Sequence, residues 1–235
     1  ALRALDESIA GLRLHELDVY VGVSSGALIA AGLANRMTTG ELCRIFMGDK
    51  HASLKFEPTD FLRPAYREYI HRAARLPGIL GDSLLDILRR PSHVGISRLV
   101  SELGKAIPSG IFDNETLHDF LEHALEITGQ SNRFEDLACK LYIIAVDLDS
   151  GTTVRFGQGN HSDVTISRAV QASAALPGLY PPVEIDGHYY VDGALRRTLY
   201  ASAALKDGVD ILIGGNPMVP VDSGVNGQIP ELSDL

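Results

Sequence analysis

The chain has 235 residues, of which 45% are hydrophobic and 22% are charged, and its formal net charge is −9 at pH 7. This size and apolar content suffice for one α/β domain with a buried sheet, and they exclude an intrinsically disordered protein. The negative charge argues against a nucleic-acid-binding surface, and no apolar run approaches the roughly 20 residues of a membrane-spanning helix. We therefore expect a folded domain that is cytoplasmic or peripheral at a membrane surface.

The first half of the chain predicts few strands and many helices. Residues 1–10 have the apolar spacing of a helix, and the β-branched run at 17–21 predicts a buried strand. The alanine- and leucine-rich residues 27–37 predict a second helix, and the proline-punctuated residues 38–130 predict a helical, cap-like region. The N-cap candidates in that region are Thr38, Thr59 and Asp113.

The second half alternates between strands and helices. Residues 141–157 predict two β segments joined by a turn at 149–151, and a helix is expected to begin near Ser162 or Asp163. A short strand at 188–194, a short helix at 199–208 and a final buried strand at 209–215 follow. This alternation predicts an α/β fold of three layers, α/β/α, with a largely parallel central sheet.

The most informative motif is Gly22-Val23-Ser24-Ser25-Gly26, which lies between a predicted strand and a predicted helix. A sharp turn from strand to helix needs glycine on either side of the serine, here Gly22 and Gly26, because larger side chains would collide with the strand and the helix. Such a turn exposes the Ser24 hydroxyl next to the positive end of the helix dipole. A glycine- and serine-rich turn without chemistry has the same pattern.

A serine hydroxyl needs a base before it can act as a nucleophile, and the best-placed candidate is Asp192. It ends a short apolar strand and precedes Gly193, at the edge where α/β sheets gather functional residues. Desolvation there would raise its pKa and strengthen the carboxylate as a base. None of the eight histidines stands in a recognisable catalytic turn. Taken alone, Asp192-Gly193 is also typical of an ordinary turn.

Together, Gly22-Val23-Ser24-Ser25-Gly26 and Asp192-Gly193-Ala194 resemble the paired motifs of the patatin-like phospholipase family. Other segments that resemble the family are residues 145–151, 167–178 and 216–220. The resemblance covers nearly the whole chain and is weakest across residues 38–130. It implies a patatin-like fold and a Ser-Asp dyad that hydrolyses lipid acyl esters through an acyl-enzyme, with no metal or organic cofactor.

Carried onto this sequence, the resemblance makes Ser24 the nucleophile and Asp192 the general base. The residues that support the motif and the oxyanion are Gly22, Ser25, Gly26 and Gly193. The family's glycine-rich oxyanion loop precedes the helix that opens this chain. We therefore expect one patatin-like domain over residues 1–235, with that loop upstream of Ala1 and the natural C-terminal end also outside the chain. The backbone N–H of Ser25 is a candidate for one oxyanion donor.

Residues 50–98 form a basic segment, with nine Lys/Arg and five acidic residues, so its net charge is +4 against −13 for the remainder. Its many apolar residues would let a cationic amphipathic surface dock on anionic lipid headgroups and shelter an acyl channel. An ordinary solvated helical face with a core-facing stripe gives the same pattern. Peripheral membrane contact through this segment is therefore a hypothesis.

Other functional hypotheses remain open. A Ser-Asp-His hydrolase would use Asp147 or Asp149 together with His161 or His188. An acyl-carrier transacylase is also built around a serine turn and would also need a catalytic histidine. A non-catalytic lipid-binding scaffold would keep the fold without an activated serine. The oligomeric state is not indicated by the sequence.

Overall fold

The fold was obtained as a computed structural model that describes residues 1–47, 110–161 and 163–216. Its helices are α1 (Leu2–Ser8), α2 (Ser25–Ala34), α3 (Thr39–Phe46), α4 (Glu115–Ile127), α5 (Ile166–Ser173) and α6 (Ala201–Leu205). Its strands are β1 (Val19–Val23), β2 (Lys140–Asp147), β3 (Thr153–Phe156), β4 (Val183–Ile185) and β5 (His188–Asp192). Within these ranges, no helix is both long and apolar enough to cross a membrane.

The central strand is β2, in which every residue after Lys140 is buried. Successive side chains of a strand point to opposite faces of the sheet, so a strand that is apolar throughout needs cover on both faces. On one face, Leu141, Ile143 and Ala145 join the main core. On the other face, Tyr142 and Ile144 pack with the partly buried valines of β1 and with Ala203 of α6.

The helices divide between the two faces of the sheet. Helix α2 is rich in small residues and packs closely on β1 and β2, beside α5, while α4 packs on α5. The short helix α6 covers the opposite face through Ala203, next to β1. The expected α/β class with helices on both faces is thus confirmed in the part of the chain that the structure describes.

The pairing of the strands is mixed. Strand β1 is parallel to β2, whereas β3 and β5 are antiparallel to β2 and β4 is antiparallel to β5. The described strands therefore differ from the largely parallel sheet that was expected. Two of the antiparallel pairs are joined by tight turns, at 148–152 and at Asp186-Gly187, and so short a connection can only join antiparallel strands.

Strands β1 and β5 lie end to end along the same edge of β2. The register pairs Val23 with Ile144 and Asp192 with Ala145, so the two strands occupy consecutive positions of β2. Strand β3 pairs with residues 143–146 of β2, and these residues also pair with β1 or β5. Because a strand has only two edges, β3 must lie on the other edge of β2. Since β1 runs parallel to β2 and β5 runs antiparallel, their carboxyl ends meet head to head.

Several predicted elements agree with the structure, with shifted boundaries. The strand expected at 17–21 lies at Val19–Val23, and Thr38 caps α3 as predicted, with a capping box to Glu41. The N-cap of α5 is Thr165 instead of Ser162 or Asp163, because the Thr165 hydroxyl accepts the N–H of Arg168. The N-cap candidate Asp113 precedes the actual N-cap, Asn114.

One predicted strand is wrong. Residues 209–216 contain no strand, and the Ile211 side chain is 82% exposed. An apolar, β-branched run becomes a strand only where a neighbouring strand pairs with it, and composition does not reveal that neighbour. The N-cap candidate Thr59 and the basic segment 50–98 lie outside the described residues.

Candidate active site

Ser24 occupies a strained turn between β1 and α2. Its backbone angles are φ 54° and ψ −130°, a region that non-glycine residues rarely adopt and that costs about 1–3 kcal/mol. Gly22 makes this turn possible by its size, because a Cβ atom there would lie 2.5 Å from the Cα of Ala27 in the first turn of α2. The helix therefore packs directly on the strand backbone, and the predicted steric need for Gly22 is confirmed.

Gly26 does not have the steric role that its place in the motif predicted. A Cβ atom there would have no neighbour within 4 Å among the described residues, and the backbone is not in the left-handed region. A Cβ atom at Gly22 would meet the backbone of Ala27 and the carbonyl oxygen of Gly26, whereas a Cβ atom at Gly26 would meet open space. Ser25, the first residue of α2, is exposed.

The side chain of Ser24 is hydrogen-bonded to Asp192. Ser24 Oγ donates to Asp192 Oδ2 at 2.6 Å, although 168 residues separate them in the sequence. The N–H of Ala194 donates to the other carboxylate oxygen, Oδ1, at 2.8 Å. Ser24 is half-buried and Asp192 is only 2% exposed, so a reachable hydroxyl contacts a buried acid.

The environment of Asp192 perturbs its proton affinity. Burial raises the pKa of Asp192, and the hydrogen bonds from Ser24 and Ala194 oppose that rise without cancelling it. A carboxylate whose negative charge is poorly solvated binds a proton more strongly than an aspartate in water. The pair can therefore move a proton from the hydroxyl to the carboxylate more easily than a solvated pair could.

Ser173, at the end of α5, holds the backbone of Ser24 in place. The Ser24 N–H donates to Ser173 Oγ at 2.9 Å, and Ser173 Oγ donates to the Ile144 carbonyl at 2.6 Å. The hydroxyl thus bridges two backbone groups at the point where β1 stops pairing with β2. Ser173 is completely buried, so the bridge is shielded from water.

Sequence reasoning gave Ser173 no role, although it lies in a segment that resembles the family. The sequence contains only a weak indication of this role. A buried serine hydroxyl needs hydrogen-bond partners, but the sequence does not identify the groups that Ser173 binds. Its partners are distant in sequence, one in the turn after β1 and the other in β2.

Gly193 fills the gap between the ends of β1 and β5. A Cβ atom at Gly193 would lie 2.5 Å from the Ile144 carbonyl oxygen and 3.2 Å from Cγ1 of Val23. Its own carbonyl accepts a hydrogen bond from the Tyr200 hydroxyl at 3.2 Å. Glycine is therefore required directly after Asp192 for space, and not for a left-handed backbone.

The histidines weighed for a Ser-Asp-His arrangement do not lie beside Ser24. His188 Nδ1 lies 3.5 Å from Asp147 Oδ2, so the two form a pair. However, His188 begins β5 and Asp192 ends it, which separates them by about 13 Å at the usual rise per residue. The ring of His161 packs against Phe156 of β3, on the edge of β2 opposite β1.

Asp147, Asp149 and His188 form a cluster of potential metal ligands, with ligand atoms within 4.8 Å of one another. Local hydrogen bonds explain this cluster, because Asp147 Oδ1 already accepts the N–H groups of Asp149 and Ser150 at 2.9 and 3.0 Å. We therefore regard it as the polar turn that joins β2 to β3.

Comparison with known proteins gives a family and a distant structural match. The sequence description of the family named patatin-like phospholipase matches residues 1–205. The crystal structure of VipD from Legionella pneumophila is similar, with 18% sequence identity and a TM-score of 0.45. The match covers 83% of this chain and 42% of that one, so this chain spans less than half the length of VipD.

The contrast between Gly22 and Gly26 predicts that the same substitution destabilises the protein at Gly22 and has little effect at Gly26. Gly22→Ala should lower the free energy of unfolding by about 1–3 kcal/mol, because the new methyl group meets backbone atoms that cannot yield. Gly26→Ala, the matched control, should change it by less than about 1 kcal/mol, since space is open and alanine favours a helix. Urea unfolding of both variants measures the difference. Equal losses would contradict the packing described for α2.

The Ser173 bridge predicts a local loss of protection at Ser24. Ser173→Ala leaves the Ser24 N–H and the Ile144 carbonyl without their partner, which costs about 1–3 kcal/mol for buried groups. Amide hydrogen exchange at Ser24 should accelerate. The control is Ser167→Ala on the same helix, which removes a buried hydroxyl bonded to Asn132 and should not accelerate Ser24 selectively. The same acceleration in both variants would exclude a specific bridge.

Proposed function

Because the chain belongs to the patatin-like phospholipase family, we propose that it hydrolyses acyl esters of lipids with Ser24 as nucleophile and Asp192 as general base. The observation that carries this proposal is the 2.6 Å hydrogen bond from Ser24 Oγ to Asp192 Oδ2. A nucleophile and its base must lie within hydrogen-bond reach, and this pair does.

The reaction proceeds in two steps. Ser24 Oγ attacks the carbonyl carbon of the ester while its proton moves to Asp192 Oδ2, and the tetrahedral intermediate expels the alcohol, which takes that proton. A water molecule then attacks the acyl-enzyme, Asp192 accepts its proton, and the fatty acid leaves as Ser24 regains a proton. The Ala194 N–H on Oδ1 keeps Oδ2 directed at Ser24 throughout.

The start of α2 supplies positive potential for the oxyanion. The first N–H groups of a helix have no partner within the helix, and they sum to a partial positive charge. Ser25 is the first residue of α2 and directly follows the nucleophile, so its N–H is the natural oxyanion donor. Each such donor contributes about 10²–10³ in rate.

A Ser-Asp-His mechanism is less well supported than the dyad. Asp147 and His188 do form a pair, but its distance from Asp192 along β5 leaves it out of reach of the Ser24 hydroxyl. A transacylase would leave the acyl group on an alcohol or thiol acceptor, whereas the proposed hydrolase releases free fatty acid. A non-catalytic scaffold would release none. Docking of the basic segment 50–98 on membranes remains a separate prediction.

The dyad predicts that either partner alone is insufficient. Ser24→Ala removes the nucleophile and Asp192→Asn removes the base, so each should lower p-nitrophenyl butyrate turnover by about 10³-fold or more. Circular dichroism checks that both variants remain folded. His188→Ala is the control and should keep most activity. The dyad is wrong if the Ser24→Ala and Asp192→Asn proteins both retain turnover.

The raised pKa of Asp192 predicts a pH dependence of stability. Below the pKa of an unfolded aspartate, about 3.9, Asp192 is protonated in both the folded and the unfolded state, so its charge does not affect the free energy of unfolding. As pH rises through the raised pKa, the native state must ionise a buried group, so the wild type should lose stability relative to Asp192→Asn. The measurement is the difference in free energy of unfolding between the two proteins across pH 3–8.

Asp147 provides a control of opposite sign. The N–H of Ser150 lowers the pKa of Asp147, with further help from Asp149. Its contribution to stability is therefore present above the unfolded pKa and is lost as pH falls. Asp147→Asn should lower stability most at neutral pH, and Asp192→Asn should raise it there. The same sign for both variants would contradict the environment assigned to Asp192.

A further inference from the structure

A second cluster of polar side chains surrounds an open cavity of about 540 Å³, formed by β3, the residues after β5 and α6. It lies on the α6 side of the sheet, and neither Ser24 nor Asp192 lines it. The residues around it include Thr153, Arg155, Arg196, Arg197, Tyr200 and Lys206.

The cavity is strongly cationic. Four of its lining residues carry a positive charge and none carries a negative charge, in a chain whose net charge is −9. None of these four cations has an ion-pair partner among the described residues. The neighbouring acid Asp207 pairs with Lys140 at 2.6 Å, and it interacts with Arg155 only at longer range. Four like charges around one cavity repel one another, so an anion there is favoured.

The donors around the cavity are held by the fold. Arg196 Nη1 donates to the Gly151 carbonyl at 2.7 Å, which fixes its guanidinium while leaving other N–H groups for a ligand. Thr153 Oγ1 and the Tyr200 hydroxyl lie 3.4 Å apart, and both line the cavity. Guanidinium groups bind phosphate oxygens in pairs.

The cavity is connected to the proposed dyad. The Tyr200 hydroxyl donates to the carbonyl of Gly193, the residue directly after Asp192. Arg155 pairs with Ile144, which pairs with Val23 on its other side. Two strand spacings therefore separate Arg155 from Val23, or about 10 Å between their backbones. The lining residues Arg155 and Tyr200 therefore connect the cavity to the strand ends that carry Ser24 and Asp192.

We propose that this cavity binds the phosphate group of a phosphoester. Resting on the proposed function, the ligand is the headgroup phosphate of a phospholipid or lysophospholipid, bound by Arg155, Arg196, Arg197 and Lys206. The cavity is larger than a free phosphate ion, which leaves room for the glycerol portion of the headgroup. The site would favour lipids that carry a phosphate over neutral glycerides.

The first test measures binding without catalysis. Inorganic phosphate is titrated into the full chain by calorimetry in a phosphate-free buffer. The double variant Arg155→Gln/Arg197→Gln should bind it at least about tenfold more weakly, because both guanidinium groups are lost. Arg13→Gln removes an exposed charge outside the cavity and should bind like the wild type. No binding to the wild type, or equal binding to the double variant, overturns the phosphate site.

The second test identifies the source of the phosphate. Lysophosphatidic acid and monoacylglycerol of the same acyl chain differ only in the phosphate. In the double variant, kcat/KM for lysophosphatidic acid should fall about tenfold or more, with monoacylglycerol unchanged. Equal effects on both substrates overturn the headgroup assignment and leave free phosphate as the ligand. If the wild type hydrolyses neither substrate, the proposed lipid hydrolysis is contradicted. The calorimetric titration then still tests whether the cavity binds phosphate.

Discussion

The structure depends on the meeting of two strands on one edge of a third. Because β1 and β5 run in opposite directions along β2, their carboxyl ends face each other at Ile144 and Ala145. This arrangement joins two residues that are 168 positions apart into one hydrogen-bonded pair. It also explains why glycine must follow Asp192: the residue there lies over the Ile144 carbonyl, where a side chain has no space.

The site is energetically costly, and the surrounding packing offsets the cost. Ser24 adopts a strained backbone, and Asp192 is buried where its charge is poorly solvated. The backbone strain opposes folding by about 1–3 kcal/mol, and the poorly solvated charge of Asp192 opposes it further. They persist because the apolar strand β2, packed on both faces, and the bridge from Ser173 hold the turn in place. Strain and desolvation of this kind are typical of reactive sites.

The sequence predicted the parts of the site that depend on local chemistry. The strand, turn and helix around Ser24 follow from β-branched residues, glycine and alanine in succession, and the strand ending at Asp192 follows from its apolar residues. The parts that depend on distant partners were missed or wrong. Ser173 bonds backbone groups of Ser24 and Ile144, which are far away in sequence, and a Cβ atom at Gly26 would meet no neighbour. The run around Ile211 forms no strand in the part of the chain that the structure describes. The basic cavity is likewise assembled from residues 153–206, which no single motif joins.

The central claim is that Asp192 activates the Ser24 hydroxyl. The most direct measurement is labelling by a fluorophosphonate probe, followed by mass spectrometry to locate the modified residue, in the wild type and in Asp192→Asn. We expect rapid labelling of Ser24 in the wild type and labelling slowed by about 10³-fold or more in Asp192→Asn. Equal labelling rates in the two proteins, or labelling of another residue, would contradict it.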